Sequence, residues 1–372
     1  MTPGSLGGRI EAWPRLLFAV VAGSLAILVS GWFYPPRLEV WSRRDTRLQE
    51  WSRADGFLKQ CERPFRQDVE PAVRWRLLPP LVCHALGLRG DEPLAFCWLG
   101  LGAFAVALAA RLDRLAGSRA WAVIGTVGFA TSGPFITALG WLGLNDGWYL
   151  LALLESAAGN SLWALSAWAF VGPWIDERYL IALPLVLFVR MRLRTPEPGL
   201  CKRTCLAACA GIAPYILLRV GFGLTHGDAV SSGYIDSMLD VFRIYAAYLP
   251  LGWAMGYRVG WLALAVGLLA NGISWRSRLT GTALSAASLM AISVVAWDLD
   301  RSTGVLLPAY VAGVVVAARA GARSPDAGLS RLLALGLACV LLNLALPYAH
   351  IVGFTVSWNR GPFGVWRMLS GR

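Results

Sequence analysis

Apolar runs of membrane-crossing length recur from one end of this chain to the other, and nothing else in it restricts the fold so strongly. A helix needs about 20 apolar residues to cross a bilayer, because backbone N–H and C=O groups in hydrocarbon must be paired within the segment itself. Runs of this kind fall at residues 15–34, 93–110, 120–142, 147–159, 161–175, 178–191, 204–222, 258–274, 279–297, 303–319 and 329–348. They predict an all-α fold, a polytopic membrane helix bundle of about eleven spans filling residues 1–372 as a single domain. The three runs between residues 147 and 191 are too short to cross alone and are expected to be tilted, re-entrant or sheltered by neighbours. Only 15% of residues are charged, against about 25% in soluble proteins.

The net charge of +12 comes from arginine, since Lys59 and Lys202 are the only lysines. Such a balance elsewhere suggests nucleic acid. Here the arginines lie in loops between spans, where membrane topology and anionic headgroups account for them, so no nucleic-acid partner is expected. Four short-loop clusters (Arg111, Arg114 and Arg119; Arg190, Arg192, Arg194, Lys202 and Arg203; Arg276 and Arg278; Arg319 and Arg323) fall on one side of the bundle together with the N-terminus. That side is expected to be cytoplasmic. Arg9 and Arg15 ahead of the Leu16–Tyr34 run read as an uncleaved signal anchor. A composition rich in Ala, Gly and Arg and poor in Lys suggests a bacterial chain, hence a multi-pass protein of the inner membrane with lipid as its surroundings.

The opposite, external side receives nearly all the remaining charge. Residues 35–92 form a long external loop, and its apolar piece Leu77 to Leu88, opening with Pro79 and Pro80, is expected to be a helix lying in the interface. The loop offers Asp45 and Asp68 as carboxylates and Arg74 and Arg76 at headgroup level, where arginine suits a lipid phosphate and equally plain anchoring. Three further groups sit at span ends. Asp146 is a candidate general base or cation ligand, or else a helix N-cap. Asp176, Glu177 and Arg178 form either a phosphate-binding site or a solvated turn with a local salt bridge. Asp298, Asp300 and Arg301 contain an Asp-x-Asp pair with the donors for a divalent cation, or a turn pairing Asp300 with Arg301. Glu155, inside a short span, needs a partner, for which Arg219 and Arg243 are candidates.

His84, His226 and His350 form no ligand pattern and read as structural. The seven cysteines show no metal or redox spacing and imply no disulfide framework. Gly-rich phosphate loops, HExxH and nucleophile elbows are absent from the sequence.

Taken in order, a first external loop bearing acids, "RWRLLPPL" at Arg74–Leu81, "NDGWYLLALL" at Asn145–Leu154 and "DERYLIALP" at Asp176–Pro184 resemble the integral-membrane glycosyltransferases of GT-C type. The likeness covers residues 16–194, with "DLDRS" at 298–302 as a later addition. It implies a polyprenyl-phosphate-linked sugar as partner, an external active site, and a loop carboxylate as base: Asp45 by position, with Asp68 as substitute. Arg178 and Arg301 are then expected near the phosphate, with Asp146 or Asp298 orienting the acceptor. The alternatives are a transporter or flippase for a lipid-linked or anionic solute, and a non-enzymatic membrane component of an assembly. Charges gathered at one edge, with no internal repeat, weigh against a transporter.

Overall fold

The structure is a computed structural model of the chain, and it describes residues 14–34, 49–66, 74–194, 197–226, 242–243, 246–269, 274–296, 298–322, 328–352 and 355–359. Asp45 and Asp68 lie outside these.

A helix stands at every expected span. The order is α1 (Arg15–Phe33), α2 (Gln49–Glu62), α3 (Leu78–Ala85), α4 (Glu92–Ala116), α5 (Arg119–Ala130), α6 (Gly133–Gly140), α7 (Asp146–Ala158), α8 (Leu162–Ile175), α9 (Arg178–Leu193) and α10 (Leu200–His226). Then come α11 (Leu249–Tyr257), α12 (Trp261–Leu269), α13 (Trp275–Val295), α14 (Leu307–Ala322), entered through the turns Leu299–Ser302 and Thr303–Leu306, and α15 (Gly328–Ala345). A hairpin of two antiparallel strands, β1 (Tyr348–Val352) and β2 (Thr355–Asn359), ends the described chain.

Six helical segments among the described residues are long and apolar enough to cross a membrane, and a seventh is reached if the bent pair α5–α6 counts as one. That is fewer than eleven. The difference lies in α7, α8, α9 and α15, which are helical where expected but shorter or more polar than a free-standing crossing. Of these, α7 is sheltered, buried along nearly its whole length between α4, α8 and α9.

Backbones approach closely where a glycine replaces a side chain, as in helix pairs that associate within lipid. A Cβ on Gly147 of α7 would stand 2.1 Å from the Leu101 amide nitrogen of α4. One on Gly313 of α14 would stand 1.6 Å from the Ala263 carbonyl oxygen of α12. The main core runs through α1, α4, α5, α7, α9 and α14.

Two features carry polar side chains into one end of this bundle. The first is the 63° break between α5 and α6 at "TSGP", where Pro134 starts the second helix. Freed carbonyls at the break are met locally, by Thr131 Oγ1 on Gly128 O at 2.7 Å and Ser132 Oγ on Phe129 O at 2.6 Å. The redirected α6 then packs against the Leu299–Ser302 turn. The second is the long loop between α1 and α4. Its described part holds α2, which hydropathy did not indicate, packed on α3 over a small core of Ala54, Phe57, Cys61, Cys83, Leu94, Cys97 and Leu142.

Candidate functional site

Charged residues from four separate segments meet in one buried chain of ion pairs. Arg178, first residue of α9, clasps Asp176 with Nε and Nη2 at 2.9 and 2.8 Å, and its amide donates to the same carboxylate at 2.9 Å. Its Nη2 also pairs with Asp146 Oδ1. The other oxygen of Asp146 accepts from Arg301 Nε at 2.9 Å, and Arg301 Nη1 reaches Asp298 Oδ2. At the far end Arg76, half-buried ahead of α3, lies 3.4 Å from Asp176 Oδ2. The sequence is thus Arg76–Asp176–Arg178–Asp146–Arg301–Asp298, three carboxylates against three guanidinium groups. Asp146, Asp176, Arg178, Asp298 and Arg301 are each at most 5% exposed. The Tyr149 ring faces the Arg178 guanidinium at 4.8 Å.

These contacts decide between the sequence alternatives. Asp146 opens α7, but its carboxylate goes to two arginines and not to backbone amides. Asp176 and Arg178 are no solvated tip. Arg301 pairs with Asp146 and Asp298, not with Asp300. Glu177 stands apart, accepting from Tyr215 Oη at 2.9 Å with Arg219 at 3.5 Å. Glu155 therefore does not have Arg219; its partner is Arg111, whose Nε donates at 2.8 Å. Arg74 is half-buried beside Arg76, and its carbonyl accepts from Gln60 Nε2 at 3.3 Å.

Burial pushes a carboxyl group up in pKa, and here the arginines outweigh it. Arg301 and Arg178 hold Asp146 below the usual carboxylate range. Arg178 and Arg76 hold Asp176 well below it. Asp298 is brought down to about 2 against its burial, by Arg301 first, then by Arg53 of α2 and by His350. All three are acceptors at neutral pH, with little capacity as bases.

A second polar cluster abuts the first, and the sequence reading missed most of it. Asp300 turns away from Arg301 toward the hairpin. Its Oδ1 accepts the Ile351 amide at 2.9 Å; its Oδ2 meets Tyr348 Oη and lies 3.1 Å from His350 Nδ1. Thr137 of α6 places Oγ1 at 3.0 Å from Tyr348 Oη and 3.4 Å from Asp300 Oδ2. Gly133 at the start of α6 lets the Asp300 side chain pass, since a Cβ there would lie 3.1 Å from it. His350, read from sequence as structural, is tied to a buried carboxylate. The available signal was the pair of β-branched runs flanking Gly353–Phe354, a hairpin pattern.

Asp298 and Asp300 diverge to different partners. Among the described residues no group of three or more His, Cys, Asp or Glu side chains is arranged to hold a metal ion.

No family model, curated protein or solved structure matches this chain.

Proposed function

We propose that the protein is a membrane glycosyltransferase of GT-C type, moving a sugar from a polyprenyl-phosphate donor to an acceptor hydroxyl on the external face of a bacterial inner membrane. In this reading the N-terminus is cytoplasmic, the short helices α7, α8, α9 and α15 complete an eleven-span bundle, and α3 lies in the interface. The observation that carries it is the convergence of Asp146, Asp176, Arg178, Asp298 and Arg301, up to 155 positions apart in the Asp146–Arg301 pair, at helix ends. Ionisable groups gathered inside a membrane protein are costly to keep and mark functional sites more often than not.

The parts divide by exposure. Arg53, Arg74 and Arg76 are half-buried at the rim formed by α2 and the approach to α3; they receive the donor phosphate and stabilise it as it leaves. Arg178, Asp146 and Arg301 are saturated with one another and hold the geometry. Asp298 presents an oxygen, Oδ1, that is buried and has no hydrogen-bond partner among the described residues, and it orients the acceptor. Asp45 and Asp68 are the loop carboxylates to which the family resemblance gives the role of base.

The test is release of polyprenyl phosphate from radiolabelled polyprenyl-phosphate hexoses and pentoses by the full chain in nanodiscs. Turnover is expected, with Arg76→Ala lowering it at least tenfold. Neither turnover nor saturable donor binding with any of these sugars refutes the reading. One observation favours a second reading, a non-enzymatic assembly component: the charges of the network balance without any ligand. Stable co-purification of a partner protein, with no donor binding, supports that instead.

A further inference from the structure

His350 and Asp298 each end in a buried polar atom that none of the described residues satisfies, and the backbone sets them side by side. Asp298 forms an isolated antiparallel bridge with Val352 of β1. His350 is two residues from Val352, so its side chain leaves the same face as that of Asp298, as a diagonal cross-strand neighbour. Diagonal neighbours stand about 7–8 Å apart at their Cα atoms, which leaves space between the two tips for a small polar group. Both tips are open: His350 Nε2 and Asp298 Oδ1 are buried with no hydrogen-bond partner among the described residues. Buried polar atoms are almost always paired, so two orphans at one place point to a missing ligand.

The chemistry of the orphans defines that ligand. Asp300 Oδ2 sits 3.1 Å from His350 Nδ1. A carboxylate there fixes the proton on Nδ1, which leaves Nε2 of the neutral ring as an acceptor. Asp298 Oδ1, on a carboxylate paired with Arg301, is an acceptor as well. Two acceptors side by side call for two donors, as in the vicinal hydroxyl groups of a sugar.

We propose that the acceptor substrate is a carbohydrate diol, with one hydroxyl on Asp298 Oδ1 and its reacting neighbour on His350 Nε2, and that His350, not a loop carboxylate, is the general base. This rests on the transfer reading above and names its base and acceptor class. As the acceptor oxygen bonds to the anomeric carbon, the carbon–oxygen bond to phosphate breaks and its electron pair leaves with the phosphate. The hydroxyl proton passes to Nε2, and Asp300 balances the imidazolium.

The surroundings suit a base working near neutrality. Facing the ring are Asp300 and Tyr348, with Asp298 and Arg301 beyond and the Trp141 edge at 4.9 Å. Burial lowers the imidazole pKa, but the two carboxylates, Asp300 above all, raise it above 6.5 in sum.

The test compares H350Q, D300N, D298N and D45N with the wild-type chain in nanodiscs, using polyprenyl-phosphate hexose as donor and an alkyl glycoside as acceptor. H350Q is expected to lose about 100-fold or more in kcat, within the range for a general base, with donor KM unchanged and the acid limb of the pH profile gone. D300N moves that limb to lower pH. D298N raises acceptor KM, and the rise disappears with a deoxy acceptor lacking the second hydroxyl. H350Q with wild-type rate and acid limb, or loss of that limb in D45N alone, overturns the proposal. A wild-type chain that transfers no sugar removes the parent reading, and 15N spectra of the imidazoles then judge the dyad. The resonances missing in H350Q identify His350 among three histidines. Nδ1 protonated throughout, with Nε2 titrating above pH 6.5, supports the dyad; a neutral ring protonated on Nε2 overturns it.

Discussion

Asp146→Asn tests whether the buried network is an interdependent unit. The substitution keeps the shape of the side chain and removes one negative charge from between Arg178 and Arg301. Three arginines then face two carboxylates in a place where Asp146 is 3% exposed. Removing one partner of a buried pair costs about 3–5 kcal/mol, because the charge left behind has neither water nor counter-ion. Arg178→Gln should cost a similar amount, leaving three carboxylates against two arginines. In the double variant the survivors pair off as Arg76 with Asp176 and Arg301 with Asp298, so charge balance returns. The double variant is therefore expected to be less destabilised than the sum of the singles by about 1–3 kcal/mol, the range found for residues in one network. Equilibrium unfolding in mixed micelles, or steric trapping in bicelles, measures all four corners of the cycle. Singles that each change stability by less than about 0.5 kcal/mol, or a strictly additive double, would mean that the charges are not held together in the dry environment described above.

Three further outcomes follow from separate parts of the structure. Asp298 is held at about 2 against an ordinary 3.8, so its pairing stabilises the fold above pH 4. That stability, roughly 2 kcal/mol at about 1.4 kcal/mol per unit, should disappear as pH falls from 4 to 2, and an acid unfolding curve of D298N should lack the corresponding drop. Gly147→Ala places a Cβ 2.1 Å from the Leu101 amide nitrogen and should destabilise by about 1–3 kcal/mol or more, while Gly102→Ala, which meets nothing within 4 Å, should be neutral or stabilising in a thermal melt. Cys61 of α2 and Cys83 of α3 are buried free thiols of one small core, so mild oxidation of the folded, full-length protein should link them in peptide maps; Cys201 remaining the faster site to cross-link to either would contradict the packing of α2 on α3.

What could be read from sequence followed the cost of charge in an apolar setting. Asp146, Arg178 and Arg301 stood out because each interrupts or opens a hydrophobic run, and the same cost obliges them to find partners once folded. The pairing itself could not be read. Asp146 on α7 and Arg301 after α13 are joined only by tertiary packing, and local rules favoured the wrong neighbours, an N-cap for Asp146 and an adjacent arginine for Asp300. The partners of His350 were illegible for the opposite reason. Its segment is neither strongly polar nor long enough to span, and its role comes from a two-stranded hairpin whose first strand is buried throughout. A buried strand shows no alternation of polar and apolar residues, so periodicity gave no warning.

The preference for arginine has a physical basis beyond base composition. The strongly buried cations among the described residues, Arg119, Arg178, Arg190, Arg258 and Arg301, are all arginine. Two of them donate hydrogen bonds to carbonyls at helix ends. Arg190 donates from Nη1 to Ser156 O and from Nη2 to Ser161 O, both at 2.7 Å, close to the end of α7 and the start of α8. Arg258 reaches Thr131 O, at the break after α5, and Pro347 O, beyond α15, at 3.4 and 3.3 Å. All of these carbonyls but that of Ser161 lie at or just past helix C-termini, which carry unpaired carbonyls and a partial negative charge that attracts a cation. A guanidinium offers five donors in a fixed plane and stays charged when buried, so one side chain spans two carbonyl groups that a lysine, with a compact and easily neutralised ammonium, would not hold together. Arg190→Lys and Arg258→Lys should therefore behave as loss-of-function packing changes, not as conservative ones, with lowered melting temperatures in both, and unchanged melts would show that the carbonyls are satisfied by other means.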